Sequence, residues 1–161
     1  MCISRGHCLR FAVLFSPCFL LGIVLPAQEG SVLTVRPIPK ASVQRAAEFT
    51  QKLTVEVQPG FHVNSNTPED EYLIPLRLTW NKGPLEVEEI RYPQPAHEKY
   101  AFSEKPLSVF SGKFEIATRF KAASTASDMG VMTGKLRYQA CNDHECLQPK
   151  NVNIQFSLDV R

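Results

Sequence analysis

Apolar residues recur at every second position over several stretches of the chain. Phe49, Leu53, Val55 and Val57 fall on one side of a segment in which Gln51 is the polar exception. Ile74, Leu76, Leu78 and Trp80 repeat the pattern, and so do Phe114, Ile116 and Phe120. Met132, Leu136 and Tyr138 alternate with Thr133, Lys135 and Arg137. Near the C-terminus, Ile154, Phe156, Leu158 and Val160 alternate with Gln155, Ser157 and Asp159. A period of two is the signature of a strand with one buried and one wet face. Turn chemistry separates the runs: Pro59-Gly60, Asn66-Thr67-Pro68, Asn81-Lys82-Gly83-Pro84 and Ser111-Gly112. Only Ala41 to Phe49 has room for a helical turn or two. Seven or eight short antiparallel strands in about 115 residues predict an all-β fold, an immunoglobulin-like antiparallel β-sandwich.

The first 27 residues follow a different pattern. Arg5, His7 and Arg10 make a short basic start, and a mostly apolar run from Phe11 to Leu25 ends in Leu-Pro-Ala. This three-part order predicts a signal peptide over residues 1–27, cleaved after Ala27. The run falls short of the roughly 20 residues of a spanning helix, and Pro17 interrupts it, so a membrane anchor fits less well. Residues 28–45, with Pro37 and Pro39, read as a lead-in to a domain over 46–161. The expected location is periplasmic or otherwise exported, with membrane contact only through an uncleaved leader.

Removing the leader changes the charge and the cysteine count. The whole chain carries 18 Lys+Arg against 16 Asp+Glu, and Arg5 and Arg10 are the leader's formal charges. The remainder is neutral, which argues against recruitment of nucleic acid or of an anionic membrane surface. Of the 5 cysteines, Cys2, Cys8 and Cys18 leave with the leader. Cys141 and Cys146 remain as a pair in an oxidising compartment.

Cys141 follows one alternating strand and Cys146 precedes the last, so the pair flanks the short connection Asn142-Asp143-His144-Glu145. Facing positions of neighbouring strands suit a disulfide. The ring is small, and loop closure contributes only about 2 kcal/mol. The residues by themselves leave three readings open. The pair could be a structural staple, or a redox centre open to an attacking thiolate. It could also join His144 and Asp143 around zinc or copper, although the spacing does not match the usual C-x2-C pattern. His144, if protonated, would favour a neighbouring thiolate. No hydrolase triad, phosphate loop or paired-carboxylate site stands out. The run Glu69-Asp70-Glu71 reads as a solvated turn, and no cofactor is called for.

The string YQACNDHECLQPKNVNIQFSL, Tyr138 to Leu158, resembles the N-terminal periplasmic domain of the thiol:disulfide interchange protein DsbD, with its Y-Q-x-C…C-x-x-P and terminal strand. A second patch, PGFHVNSNTPEDEYLIPLRLTW from Pro59 to Trp80, is similar to that family's Gly-aromatic-His-x-Asn-Ser segment. The resemblance covers roughly Phe49 to Val160. It implies a sandwich with a redox-active Cys141/Cys146 pair that acts in thiol–disulfide exchange as a protein-disulfide reductase component. By the same resemblance, Cys146 contacts the partner and Cys141 resolves, with Tyr138 among the neighbours that hold the pair. Partners implied are thioredoxin-like periplasmic proteins, including those of cytochrome c maturation, and a separate membrane thiol reductase, since the chain ends at Arg161. The family's cap loop corresponds to HEKYAFSEKPLSVFSG, which makes Phe102, then Tyr100, the candidate cap. His62 and Asn64 match positions beside the family's active site where better-known members carry tyrosine. Some members also have five residues between the cysteines rather than four.

Overall fold

The alternating segments become strands in the computed structural model, which describes residues 30–161. In chain order these are β1 (Leu33–Val35), β2 (Ala41–Val43), β3 (Glu48–Val57), β4 (His62–Asn64), β5 (Arg77–Trp80) and β6 (Leu85–Arg91). The second half supplies β7 (Ala96–Glu98), β8 (Leu107–Ser111), β9 (Lys113–Ala122), β10 (Met129–Tyr138), β11 (Ala140–Cys141) and β12 (Lys150–Val160). The leader expected over residues 1–27 lies outside the described residues.

Three four-stranded sheets result, ordered β1-β3-β9-β6, β2-β12-β10-β5 and β11-β4-β8-β7. The first two lie face to face. Leu53 and Val55 of β3 and Ile116 of β9 pack with Leu78, Leu136 and Ile154 of the opposing sheet. Lower in the sandwich, Phe120 meets Trp80 and Phe156 edge to face at 5.3 and 5.8 Å and stacks on Phe49 at 5.5 Å. The chain is an all-β, immunoglobulin-like sandwich, as its alternation predicts.

One apolar series contains a buried hydroxyl with a purpose. Thr118 interrupts the run Phe114, Ile116, Phe120 and is 1% exposed. Its Oγ1 accepts the Trp80 indole N–H at 3.0 Å, so the only indole enters the core without an unpaired donor. Gly134 stands opposite Trp80 in register. A Cβ there would approach the indole ring to 2.7 Å and the Thr79 carbonyl to 2.8 Å, so the missing side chain is what lets the ring lie across β10.

Three expectations need correction. Ala41 to Phe49 holds no helical turn: Ala41–Val43 is a strand, and the chain reverses through Gln44–Ala47 directly into β3. The terminal strand β12 offers an open edge, and β2 pairs with it in parallel, Val43 opposite Val160. That pairing buries Val43 and satisfies backbone groups that an isolated turn would leave to water. Ala46, with φ of 59°, carries the reversal in the left-handed region. Nor is 28–45 only a lead-in, because β1 and β2 both lie within it, and Leu33 is 1% exposed. The described residues also make twelve strands rather than seven or eight. The additional ones are two or three residues long, too short for a period of two to register.

Candidate functional site

β10 and β12 are antiparallel neighbours, in register from Met129 opposite Asp159 to Tyr138 opposite Lys150. The cysteines lie in the connection between them, beyond the end of the ladder. There the chain leaves the large sheet. β11 crosses to the third sheet and pairs with β4, Ala140 opposite Val63 and Cys141 opposite His62. The next four residues reverse direction. Asn142 Oδ1 accepts the amides of His144 and Glu145 at 2.8 and 2.9 Å, and the Asn142 amide donates to the Glu145 carbonyl at 2.9 Å. This Asx-type turn returns Cys146 to face Cys141, and the two form a disulfide with Cα atoms 4.0 Å apart.

The two sulfur-bearing residues occupy different environments. Cys141 is fully buried, whereas Cys146 is exposed on the returning limb. This asymmetry follows from the topology: Cys141 is a strand residue between β4 and its partner, and Cys146 belongs to an isolated bridge at the sheet's edge.

The third sheet has two distinct faces. Val63, Phe110 and Ala140 point into the sandwich core. Strand alternation therefore places Cys141, His62 and Asn64 on the opposite face, with Val109 and Leu107. That face has its own small apolar cluster of Leu73, Leu107 and Val109, on which Tyr100 packs. The Tyr100 ring also stacks on His62, with centroids 4.1 Å apart, and Phe102 stacks on Tyr100 at 5.6 Å. The stack runs from buried His62 through half-buried Tyr100 to Phe102, which is 44% exposed. Phe102 also lines a cleft of about 380 Å³ with Asp70, Tyr72 and Leu73. The loop carrying both rings is tied to itself by Lys99 donating to the Ser103 carbonyl and Ser103 donating to the Lys105 carbonyl.

The electrostatics follow from this burial. Burial lowers the pKa of His62 below its ordinary 6.5, while the carboxylates of Glu98 and Asp143 pull it the other way. His62 Nε2 is buried and meets no hydrogen-bond partner among the described residues. The Tyr100 phenol is pushed well above its ordinary value, first by burial and then by its hydrogen bond to Glu98. It therefore remains a donor to that carboxylate.

The other site residues expected from sequence are spread over this region. Asn64 is completely buried, and its amide donates to the Ile74 carbonyl at 3.1 Å and to Gln139 Oε1 at 3.4 Å. Tyr138, 2% exposed, belongs to the main sandwich core rather than to the disulfide face. His144 is exposed in the turn. Among the described residues, no three or more His, Cys, Asp or Glu side chains gather closely enough to hold a metal ion.

Gln139 went unnoticed in the sequence, although it sits inside the YQAC string. Its amide bridges Asn64 and the Ile74 amide on one side and the Leu147 carbonyl on the other, and so fixes the limb that carries Cys146. Glu98 was missed as well, and Asp143 was considered only as a metal ligand, not as a charge beside His62. Nothing in its local sequence separates Glu98 from ordinary surface acids.

The model of the family "Thiol:disulfide interchange protein DsbD, N-terminal" matches residues 29–158. No curated protein matches the chain. Among solved structures, the N-terminal periplasmic domain of ScsB from Proteus mirabilis is similar, with a TM-score of 0.56 and 17% identity. The match covers 82% of this chain and 49% of that one, so this chain spans about half the length of that relative. The reduced Neisseria meningitidis DsbD N-terminal domain aligns at a TM-score of 0.41 and 12% identity, over 71% of this chain and 82% of that one. With the family model spanning both the Cys141–Cys146 disulfide and the sandwich that holds it, the chain belongs to the DsbD N-terminal domain family.

Proposed function

We propose that the chain is an exported thiol–disulfide exchange module that passes electrons between redox proteins through Cys141 and Cys146. In the reduced form, the Cys146 thiolate attacks a partner's disulfide and forms a mixed disulfide. Cys141 then attacks Cys146 Sγ, closes the intramolecular bond and releases the partner as a dithiol. The observation that carries this reading is the asymmetry of the pair. A partner can reach Cys146, while Cys141 waits underneath as the resolving thiol. A bridge kept only for stability gains nothing from one open end, and its small ring makes it a modest staple.

The partners on this reading are thioredoxin-like periplasmic proteins, including those of cytochrome c maturation, and a membrane thiol reductase that supplies electrons. The leader over residues 1–27 would deliver the chain to that compartment. Tyr100, with Phe102 stacked on it, serves as the shield over the pair.

Equilibration of the purified protein against defined thiol–disulfide buffers tests the reading. An exchange module equilibrates with a potential above about −300 mV, and a purely structural bridge lies below it. Reduced Cys141→Ser should also trap thioredoxin-fold proteins as reducible adducts through Cys146. A potential below that limit, together with no adduct, refutes exchange in favour of a binding module with a structural disulfide.

Replacing Tyr100 with alanine checks the shield. Aromatic stacking contributes about 0.5–1.5 kcal/mol beyond burial, and each 1.4 kcal/mol is a factor of ten in the open population. Reduction of the disulfide by dithiothreitol should therefore accelerate by about tenfold. Tyr100→Phe, which retains the stack and loses only the hydrogen bond to Glu98, should stay near the wild-type rate. Equal rates for Tyr100→Ala and wild type would remove Tyr100 from the role.

A further inference from the structure

The resolving thiol presents a chemical difficulty. Cys141 is fully buried, so in the reduced protein water cannot readily take its proton, and burial disfavours the thiolate. Yet closure of the ring requires Cys141 as a thiolate. Some group within the fold must accept that proton.

We infer that His62 is the acid–base partner of Cys141, taking its proton as the ring closes and returning it when the ring opens. His62 is the direct cross-strand neighbour of Cys141. Side chains at such positions share a face, with Cβ atoms about 4.5–5.5 Å apart, within reach of one hydrogen bond once the disulfide opens. His62 is itself 3% exposed, so it titrates away from bulk solvent. Its Nε2 lacks a hydrogen-bond partner in the disulfide form, an expensive arrangement for a buried nitrogen unless the site uses it. The Tyr100 ring against its face holds the imidazole in place.

The surroundings suit a transient imidazolium. The titratable groups around His62 are Cys141 on β11, Glu98 on β7, Tyr100 in the loop that follows and Asp143 in the cysteine turn. Glu98 and Asp143 favour the cation, and the phenol of Tyr100 stays neutral. Burial keeps the resting imidazole neutral and able to accept. This inference rests on the exchange reading and assigns one of its proton transfers.

The step balances as follows. With Cys146 bound to a partner sulfur, His62 Nε2 takes the proton of the Cys141 thiol. The Cys141 thiolate attacks Cys146 Sγ, the Cys141–Cys146 bond forms, and the bond from Cys146 to the partner breaks. The partner's sulfur leaves with the electron pair, so the partner is reduced and the cysteine pair oxidised. The imidazolium passes its proton to the departing thiolate or to water. On reduction the order reverses, and His62 protonates Cys141 as it leaves.

Reduced protein mixed with 5,5′-dithiobis(2-nitrobenzoate) separates the steps. The first coloured thiolate is released by Cys146 attack and the second by closure through Cys141, and each can be followed across pH. In wild type, closure should hold nearly level from pH 8 down past about 6.5, because burial keeps the His62 imidazole neutral below its ordinary range. In His62→Gln, closure should follow the thiol's own ionisation, near 8.5 or higher, and fall about tenfold per pH unit. The ratio of the second rate to the first then drops on the order of thirtyfold at pH 7 relative to wild type. His62→Phe, which retains a ring to stack on Tyr100, should show the same loss. Closure in both variants that tracks wild type at every pH overturns the inference. If both variants fail to fold, the wild-type profile decides, because a tenfold fall per unit below pH 8 refutes the assignment. Release of a single thiolate by wild type sinks the exchange reading itself, and this inference with it.

Discussion

Replacing Cys146 with serine should abolish catalytic exchange with any protein partner, while Cys141→Ser should retain the first, stoichiometric attack. The difference comes from geometry rather than from intrinsic thiol chemistry. Both cysteines have the same side chain, but Cys141 is completely buried between β4 and the cysteine turn, and Cys146 is exposed. Thiol–disulfide exchange requires a roughly linear approach of the attacking sulfur to an accessible sulfur. A thioredoxin-like partner cannot make that approach to Cys141, which is fully buried on β11 beside β4. Reduction of a thioredoxin disulfide, followed by the partner's released thiols, should fall to background in Cys146→Ser. It should show one burst without turnover in Cys141→Ser. If Cys146→Ser still exchanges and Cys141→Ser does not, the order of attack is reversed.

Truncation of Phe120 to alanine should cost about 4 kcal/mol, the upper part of the range for a buried aromatic. Phe120 is fully buried on β9 and contacts three aromatic rings, Phe49, Trp80 and Phe156, drawn from both large sheets. The ring is thus one of the points at which the sheets are joined. Its removal leaves a cavity that rigid strands on both sides cannot collapse to fill. Against a total of about 5–15 kcal/mol for a domain of ordinary stability, the loss should be visible as a large fall in the urea midpoint at an unchanged slope. The measurement belongs with the disulfide intact, so that the unfolded state stays comparable. A change below about 1 kcal/mol would mean that the sandwich does not depend on this aromatic junction.

The difference between these two predictions shows which features the sequence exposes. Phe120 lies in a legible alternation, and its burial follows from position in a period-two series. The strand neighbours Met132, Leu136 and Tyr138 are equally legible, since all three are buried as their spacing predicts. Thr118 breaks the same series, and only the approach of the Trp80 indole from the opposing sheet explains why a hydroxyl belongs there. The short strands β1, β2, β4, β7 and β11 left no periodic trace, because their existence depends on edges supplied by other strands.

The candidate site shows the same division. Cys141 and Cys146 are visible as a closely spaced pair before the last alternating run, and family resemblance suggests their role as exchange partners. The immediate chemistry around them was not local. His62 and Tyr100 are distant in sequence from the cysteines; His62 comes opposite Cys141 only because β4 pairs with β11, and Tyr100, in the loop after β7, stacks on His62. Resemblance pointed to Phe102 as the first candidate cap. In the structure Tyr100 lies against His62 and Phe102 stacks one ring farther out.

By itself, then, the sequence determined an all-β sandwich and placed Cys141 and Cys146 together in the connection leading to its last strand. It could do so because alternation, turn residues and cysteine spacing are written within a few positions of one another. Which cysteine is open, which imidazole stands beside the closed one and which ring stacks on that imidazole were decided by tertiary structure. Each depends on pairing between strands far apart in the chain, and a residue's neighbours across a sheet leave no mark on its neighbours along the chain.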